Sequence, residues 1–142
     1  MGIKSKYTII MLSAISTVMC LFPMLSAEIT GGEAYTSVIH GYNLLEFSTC
    51  GIVSIIAPAL VTAILYGCQS KAAKELELIV LAVGNLICYV HSVHNAWMWL
   101  FEIGASAFEV KAALFLYPLI FLMLCIMAII QIYYENKFYE VT

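Results

Sequence analysis

The chain has 142 residues, of which 63% are hydrophobic and 11% charged, and its formal net charge is −3. A soluble domain carries about 25% charged residues, so the composition argues against an ordinary water-soluble globule. Arg and Asp are absent and every charge is Lys or Glu. This removes bidentate guanidinium recognition of phosphate or carboxylate. Together with the acidic balance it argues against nucleic-acid binding and against a polybasic lipid anchor.

Four apolar stretches, residues 7–27, 47–68, 78–101 and 112–134, contain no charged residue. Each has about the ~20 residues that a helix needs to cross a ~30 Å hydrocarbon core. Lipid cannot satisfy open backbone groups, so each stretch is expected to be helical. The expected fold is an all-α integral membrane protein, a four-transmembrane-helix bundle forming a single membrane domain over residues 1–142. Lys4, Lys6, Lys71, Lys74 and Lys137 fall on one side of these spans and only Lys111 on the other. By the positive-inside rule both termini are cytoplasmic. The outer loops, 28–46 and 102–111, then carry Glu28, Glu33, Glu46, Glu102 and Glu109. A bacterial-type plasma membrane is the expected location, with membrane lipid as the surroundings.

The first stretch has a basic start, an apolar run, Pro23 and the small pair Ser26–Ala27, which also fits a signal peptide. Leu25 stands where a small residue is wanted and the run is long, so a retained helix is expected. Ser13, Ser16, Thr17 and Cys20 recur at helical spacing. Small hydroxyl residues let helices approach and hydrogen-bond, so this face is expected to look into the bundle. In the first outer loop Gly31–Gly32 reads as a turn. Residues 34–45, with Tyr35, His40, Tyr42 and Asn43, read as a short interfacial helix.

The second stretch has Pro58 near its middle and the fourth has Pro118. A proline removes a donor and clashes with the preceding turn, so both helices are expected to kink. The carbonyls freed at Pro58 should find partners in the bundle or in Ser54 and Thr62. The fourth stretch is aliphatic apart from Tyr117, Cys125 and Gln131, and much of it is expected to face lipid. Trp97 and Trp99, and Tyr133, Tyr134 and Tyr139, fall where aromatic belts belong.

The third stretch holds the polar residues. Cys88, His91, Asn95 and Glu102 share one stripe, with His94 beside it. The span limits place His91 near the midplane, a depth at which polar groups are costly and by default point to function. One reading has Cys88, His91 and Asn95 hydrogen-bond the Ser/Thr face of the first helix and set the register of the bundle. Another is a proton or solute path, since histidine titrates near physiological pH. A third, weaker reading is a metal site of His91, His94 and His40, or a haem. No cofactor is predicted, with metal or haem a minor alternative.

Cys20, Cys50, Cys68, Cys88 and Cys125 show no CxxC spacing and read as free thiols within or beside the spans. GxSxG and HExxH motifs are absent, so an enzyme is not the favoured reading. A claudin-like or immunity-protein-like outline is compatible, but the claudin loop motif of a tryptophan and paired cysteines is missing, and no family is assigned. The function expected is that of an accessory subunit, regulator or immunity-type factor that contacts another membrane protein, or further copies of itself, within the bilayer. The alternatives are a homo-oligomeric channel or proton-responsive module using the His/Asn/Glu stripe, and a metal- or haem-binding redox or transport subunit.

Overall fold

The computed structural model describes residues 3–29 and 35–141. The chain is mostly helical: α1 (Ile3–Met19), α2 (Leu44–Phe47), α3 (Gly51–Leu65), α4 (Lys71–Glu102) and α5 (Ala112–Val141). Three strands, β1 (Pro23–Ile29), β2 (Tyr35–His40) and β3 (Ala105–Val110), form an antiparallel sheet in the order β2-β1-β3. The fold is therefore not all-α. Two helices, Lys71–Glu102 and Ala112–Tyr134, are long and apolar enough to cross a membrane; Lys6–Met19 and Gly51–Leu65 are shorter apolar helices.

The four longer helices alternate in direction, with the sheet at the end where α1 and α4 finish and α3 and α5 begin. α1 packs on α3 and α5, and α4 packs on the same two. α3 and α5 also touch each other across the centre.

The first apolar stretch is not one helix. The turn after α1 tightens through bonds from Cys20, Leu21 and Phe22 N–H to the carbonyls three residues back. Pro23 then ends the helix, because a residue before proline is pushed out of the α region. The remaining apolar residues enter β1, where Met24, Leu25 and Ala27 are buried. Residues 35–40 are a strand rather than the start of a surface helix. The β-branched residues Thr36, Val38 and Ile39 suit a pleated strand, and β2 pairs along β1 from Pro23↔His40 to Ile29↔Tyr35. Gly31–Gly32 and Glu33 lie outside the described residues.

Gly41 lets the chain leaving β2 cross the end of α1. A Cβ there would lie 2.7 Å from Cys20 Cα, a backbone atom that cannot swing away. The other edge strand, β3, carries a bulge against β1 between Ser26 and Glu28. Ala107 lies in this bulge at φ +52°, a left-handed conformation that suits glycine better than alanine.

The core has two apolar clusters. One, at the sheet end, joins Met24, Leu25, Ile39, Leu44, Ala96 and Leu100. The other, at the far end, joins Ile9, Val61, Leu65, Leu78, Phe121 and Leu124. β3 is fastened to α4 by rings: Phe108 lies 4.8 Å from both Trp97 and Phe101. Trp97 is thus half-buried against the sheet rather than part of an exposed belt, whereas Trp99 is exposed and packs on Phe47 at 5.4 Å.

Two substitutions test this end of the molecule with opposite signs. Ala107→Gly should raise stability by about 1 kcal/mol, the cost of a left-handed alanine. Gly41→Ala should lower it by about 1–3 kcal/mol through overpacking. Thermal melts in mild detergent, followed by circular dichroism, check both.

Candidate functional site

Polar chemistry collects in two places, and only one is the stripe expected from sequence. The first is a buried centre between the two apolar clusters. Pro58 has no N–H, which leaves the Ser54 carbonyl one turn earlier without its helical donor. The Tyr117 hydroxyl, from α5, donates to that carbonyl. Pro118 does the same to the Leu114 carbonyl, and the Tyr89 hydroxyl, from α4, donates to it at 2.7 Å. The two tyrosine rings stack at 4.9 Å. Asn85 Nδ2 donates to Tyr117 Oη at 3.3 Å, and Ser13 Oγ donates to the Pro58 carbonyl at 2.8 Å. All four longer helices meet in this set.

Ser13, Ser16 and Cys20 of the α1 face are buried, while Thr17 is exposed and donates to the Ser13 carbonyl on its own helix. Tyr117 is fully buried, so α5 does not simply turn to the outside at this level.

The second place is the stripe on α4. The buried face of α4 is Leu78, Asn85, Tyr89, Ser92, Ala96 and Leu100. Cys88, His91 and Asn95 lie beside that face. Asn95 Nδ2 donates to the Phe47 carbonyl at 3.2 Å. Asn95 Nδ2 also stands 3.4 Å from His91 Nε2. Asn95 of the stripe therefore engages the end of α2 and not the Ser/Thr face of α1, whose Ser13 bonds α3 instead.

His91, His94 and Glu102 are exposed. The two histidines, with Leu86, Ile87 and Val90, line a shallow open depression of about 520 Å³ on the outer side of α4. They do not line the interior of the bundle. His40 is elsewhere, at the end of β2, stacked on Tyr42 at 5.2 Å, with its N–H bonded to Asn43 Oδ1. Among the described residues, no three His, Cys, Asp or Glu side chains converge as a metal-binding group.

The stripe runs towards the sheet end of the molecule. The Tyr89 hydroxyl reaches Met24 Sδ at 3.7 Å, and Asn95 reaches the Phe47 carbonyl, which lies just before α3 begins. At Tyr89 α4 already meets β1, and at Asn95 it meets the end of α2. His91, His94, Asn95 and Glu102 stand beyond the level of Tyr89, beside the sheet and α2.

The roles of Tyr89, Tyr117 and Asn85 were not read from the sequence. The available signal was the two prolines, each of which obliges some donor on a neighbouring helix to take a stranded carbonyl. Comparison with protein families, with curated proteins and with solved structures finds no match to this chain.

The proline–tyrosine pairing makes a sharp prediction. Tyr117→Phe should cost about 1–3 kcal/mol, the penalty for a buried carbonyl left without a donor. Adding Pro58→Ala should recover part of that loss, because an alanine at this position brings back the N–H that the Ser54 carbonyl lacks. Tyr89→Phe with Pro118→Ala should behave alike. Double-mutant cycles from melting curves check this coupling, and simple additivity would show that the hydroxyls do not serve these carbonyls.

Proposed function

We propose that this chain is a small polytopic membrane protein with four spanning helices and both termini cytoplasmic. It acts through protein–protein contacts inside a bacterial-type plasma membrane, as an accessory subunit, regulator or immunity-type factor. The observation that carries the reading is the outer surface of the two long helices. Only 22% of the most apolar window of α4 and 33% of that of α5 is buried within the chain. The core helix of a soluble protein would be mostly buried. Here Ile79, Val80, Val83, Ile87 and Val90 of α4, and Phe115, Leu119, Met123 and Ile126 of α5, are exposed. So much uncovered apolar surface suits lipid or a partner rather than water.

The charges support the same arrangement. Lys6 lies 5.1 Å from the centre of the Tyr66 ring, which brings the start of α1 level with the end of α3 and the start of α4. On this reading Lys6, Lys71 and Lys74 mark the inner boundary, and the sheet with α2 sits at the outer one. α3, with 15 residues, is about 22 Å long. It is shorter than the hydrocarbon core, so the outer boundary reaches the base of the sheet. His91 and His94 then lie towards the outer boundary rather than at the midplane, on a side of α4 that its own chain leaves open. Two ionisable residues on an apolar lateral face are costly against lipid, and a partner that covers them removes that cost.

The position of both histidines on the outside also favours a second reading, in which adjoining copies of the chain bring their stripes together as a channel or proton-responsive module.

The test is the mass of the complex extracted from washed membranes in mild detergent, read by native mass spectrometry. A foreign chain in fixed ratio is expected. Val90→Trp, on the exposed face, should dissociate it with helicity unchanged. A symmetric homo-oligomer disrupted by the same change would favour the second reading. Recovery of the chain in the soluble fraction would refute both.

A further inference from the structure

The most exposed large aliphatic side chains of α4 are Leu76, Val80, Val83, Ile87 and Val90, at 55% to 65%. They stand four, three, four and three residues apart, and His94, also exposed, follows four residues on. Alternating steps of four and three average 3.5 residues, the period of a seam along which two helices wind around each other. From Leu76 to His94 this seam runs about 27 Å, most of a ~30 Å hydrocarbon core. No described part of the chain covers it.

The seam contains a hole. In such a contact each projecting side chain of one helix enters a hole made by four residues of the other. Ile87, Val90, His91 and His94 have that arrangement, at i, i+3, i+4 and i+7, and with Leu86 they line the depression of about 520 Å³. Half of the hole is histidine. Asn95 Nδ2 donates to the Phe47 carbonyl at 3.2 Å and stands 3.4 Å from His91 Nε2. Asn95 presents hydrogens there, so the neutral His91 ring accepts at Nε2 and carries its own proton on Nδ1. His94 has no hydrogen-bond partner among the described residues. The hole thus sets ring N–H donors in an apolar wall and calls for an acceptor.

We propose that the seam of α4 receives a membrane-spanning helix of another chain, apolar at 3.5-residue spacing, with one Glu or Asp whose carboxylate enters the hole beside His91 and His94. A carboxylate only accepts and has two oxygens, one for each imidazole. An imidazole takes a proton readily near physiological pH, and the pair then leaves no net charge against lipid. A second copy of this chain, related by a two-fold axis along the helix, fits less well. It brings the same histidines to that level and no acid, because the glutamates of α4 are Glu75, Glu77 and Glu102, towards its ends. The proposal names the partner for the accessory-subunit reading and rests on the membrane placement of that reading.

The experiment places the full chain in phosphatidylcholine vesicles with synthetic spanning peptides. The peptides share a Leu/Val sequence and differ only in Glu, Gln or Leu at one position near one end. Energy transfer between a donor fused to the chain and an acceptor on the peptide reads their association. The Glu peptide is expected to bind roughly 10-fold more tightly than the Leu peptide, with the Gln peptide between them. His91→Leu combined with His94→Leu should abolish that preference and leave helicity and Leu-peptide binding unchanged. Val83→Trp should weaken all three. Equal binding of the Glu and Leu peptides to the unaltered chain would overturn the proposal, as would a preference that survives the histidine changes. Energy transfer between copies of the chain that the Glu peptide does not displace would also overturn it, by making a second copy the occupant. A chain that inserts but shows no preference sinks the proposal and leaves the membrane reading standing; a chain washed free of the vesicles sinks both.

Discussion

The structure depends on how two helices that contain proline dispose of two carbonyls. Away from water, an unpaired backbone carbonyl costs as much as a lost hydrogen bond. Pro58 and Pro118 each create one. The donors come from other helices: Tyr117 for Ser54, and Tyr89 for Leu114. The helix that supplies the first donor is the helix in which the second carbonyl is stranded. α3 is thereby tied to α5 and α5 to α4, while Ser13 ties α1 to α3. Such bonds are directional, as apolar packing is not, and they fix both depth and rotation. Stacking of the two tyrosine rings couples the two repairs into one unit.

This centre divides the molecule. Below it α1 and α3 run beside the long helices in an apolar bundle. Above it the two short helices have ended, and their place is taken by the sheet, α2 and the first turn of α5. α4 alone passes through both layers on one side. Its inner face changes from polar, at Asn85 and Tyr89, to apolar, at Ala96 and Leu100. Its outer face carries the histidines. The length of α4 thus sets the spacing between the bundle and the sheet and presents the surface on which the functional reading rests.

Much of the bundle was legible in the sequence. Charge-free stretches located the four longer helices, and helical spacing of Ser13, Ser16 and Cys20 put them on one side of α1. Thr17 was misplaced because a four-residue face on a helix of 3.6 residues per turn is wide enough for its edge to reach the outside. The sheet was not legible for a different reason. The expectation of helix rested on apolar length, and strands buried on both faces are also continuous apolar runs. Residues 23–27 read the same in either case, and only Pro23 marked the change. β3, in a loop with two glutamates at its limits, had no signal strong enough to outweigh its short length.

The polar stripe shows why spacing alone does not assign direction. Cys88, His91 and Asn95 do share a line on α4, but periodicity is silent on which side of the helix that line faces. Two neighbouring stripes competed for the interior. Asn85, Tyr89 and Ser92 took it because tyrosine supplies both ring area for burial and the hydroxyl that a stranded carbonyl requires. The histidines were left outside, on the exposed side of α4.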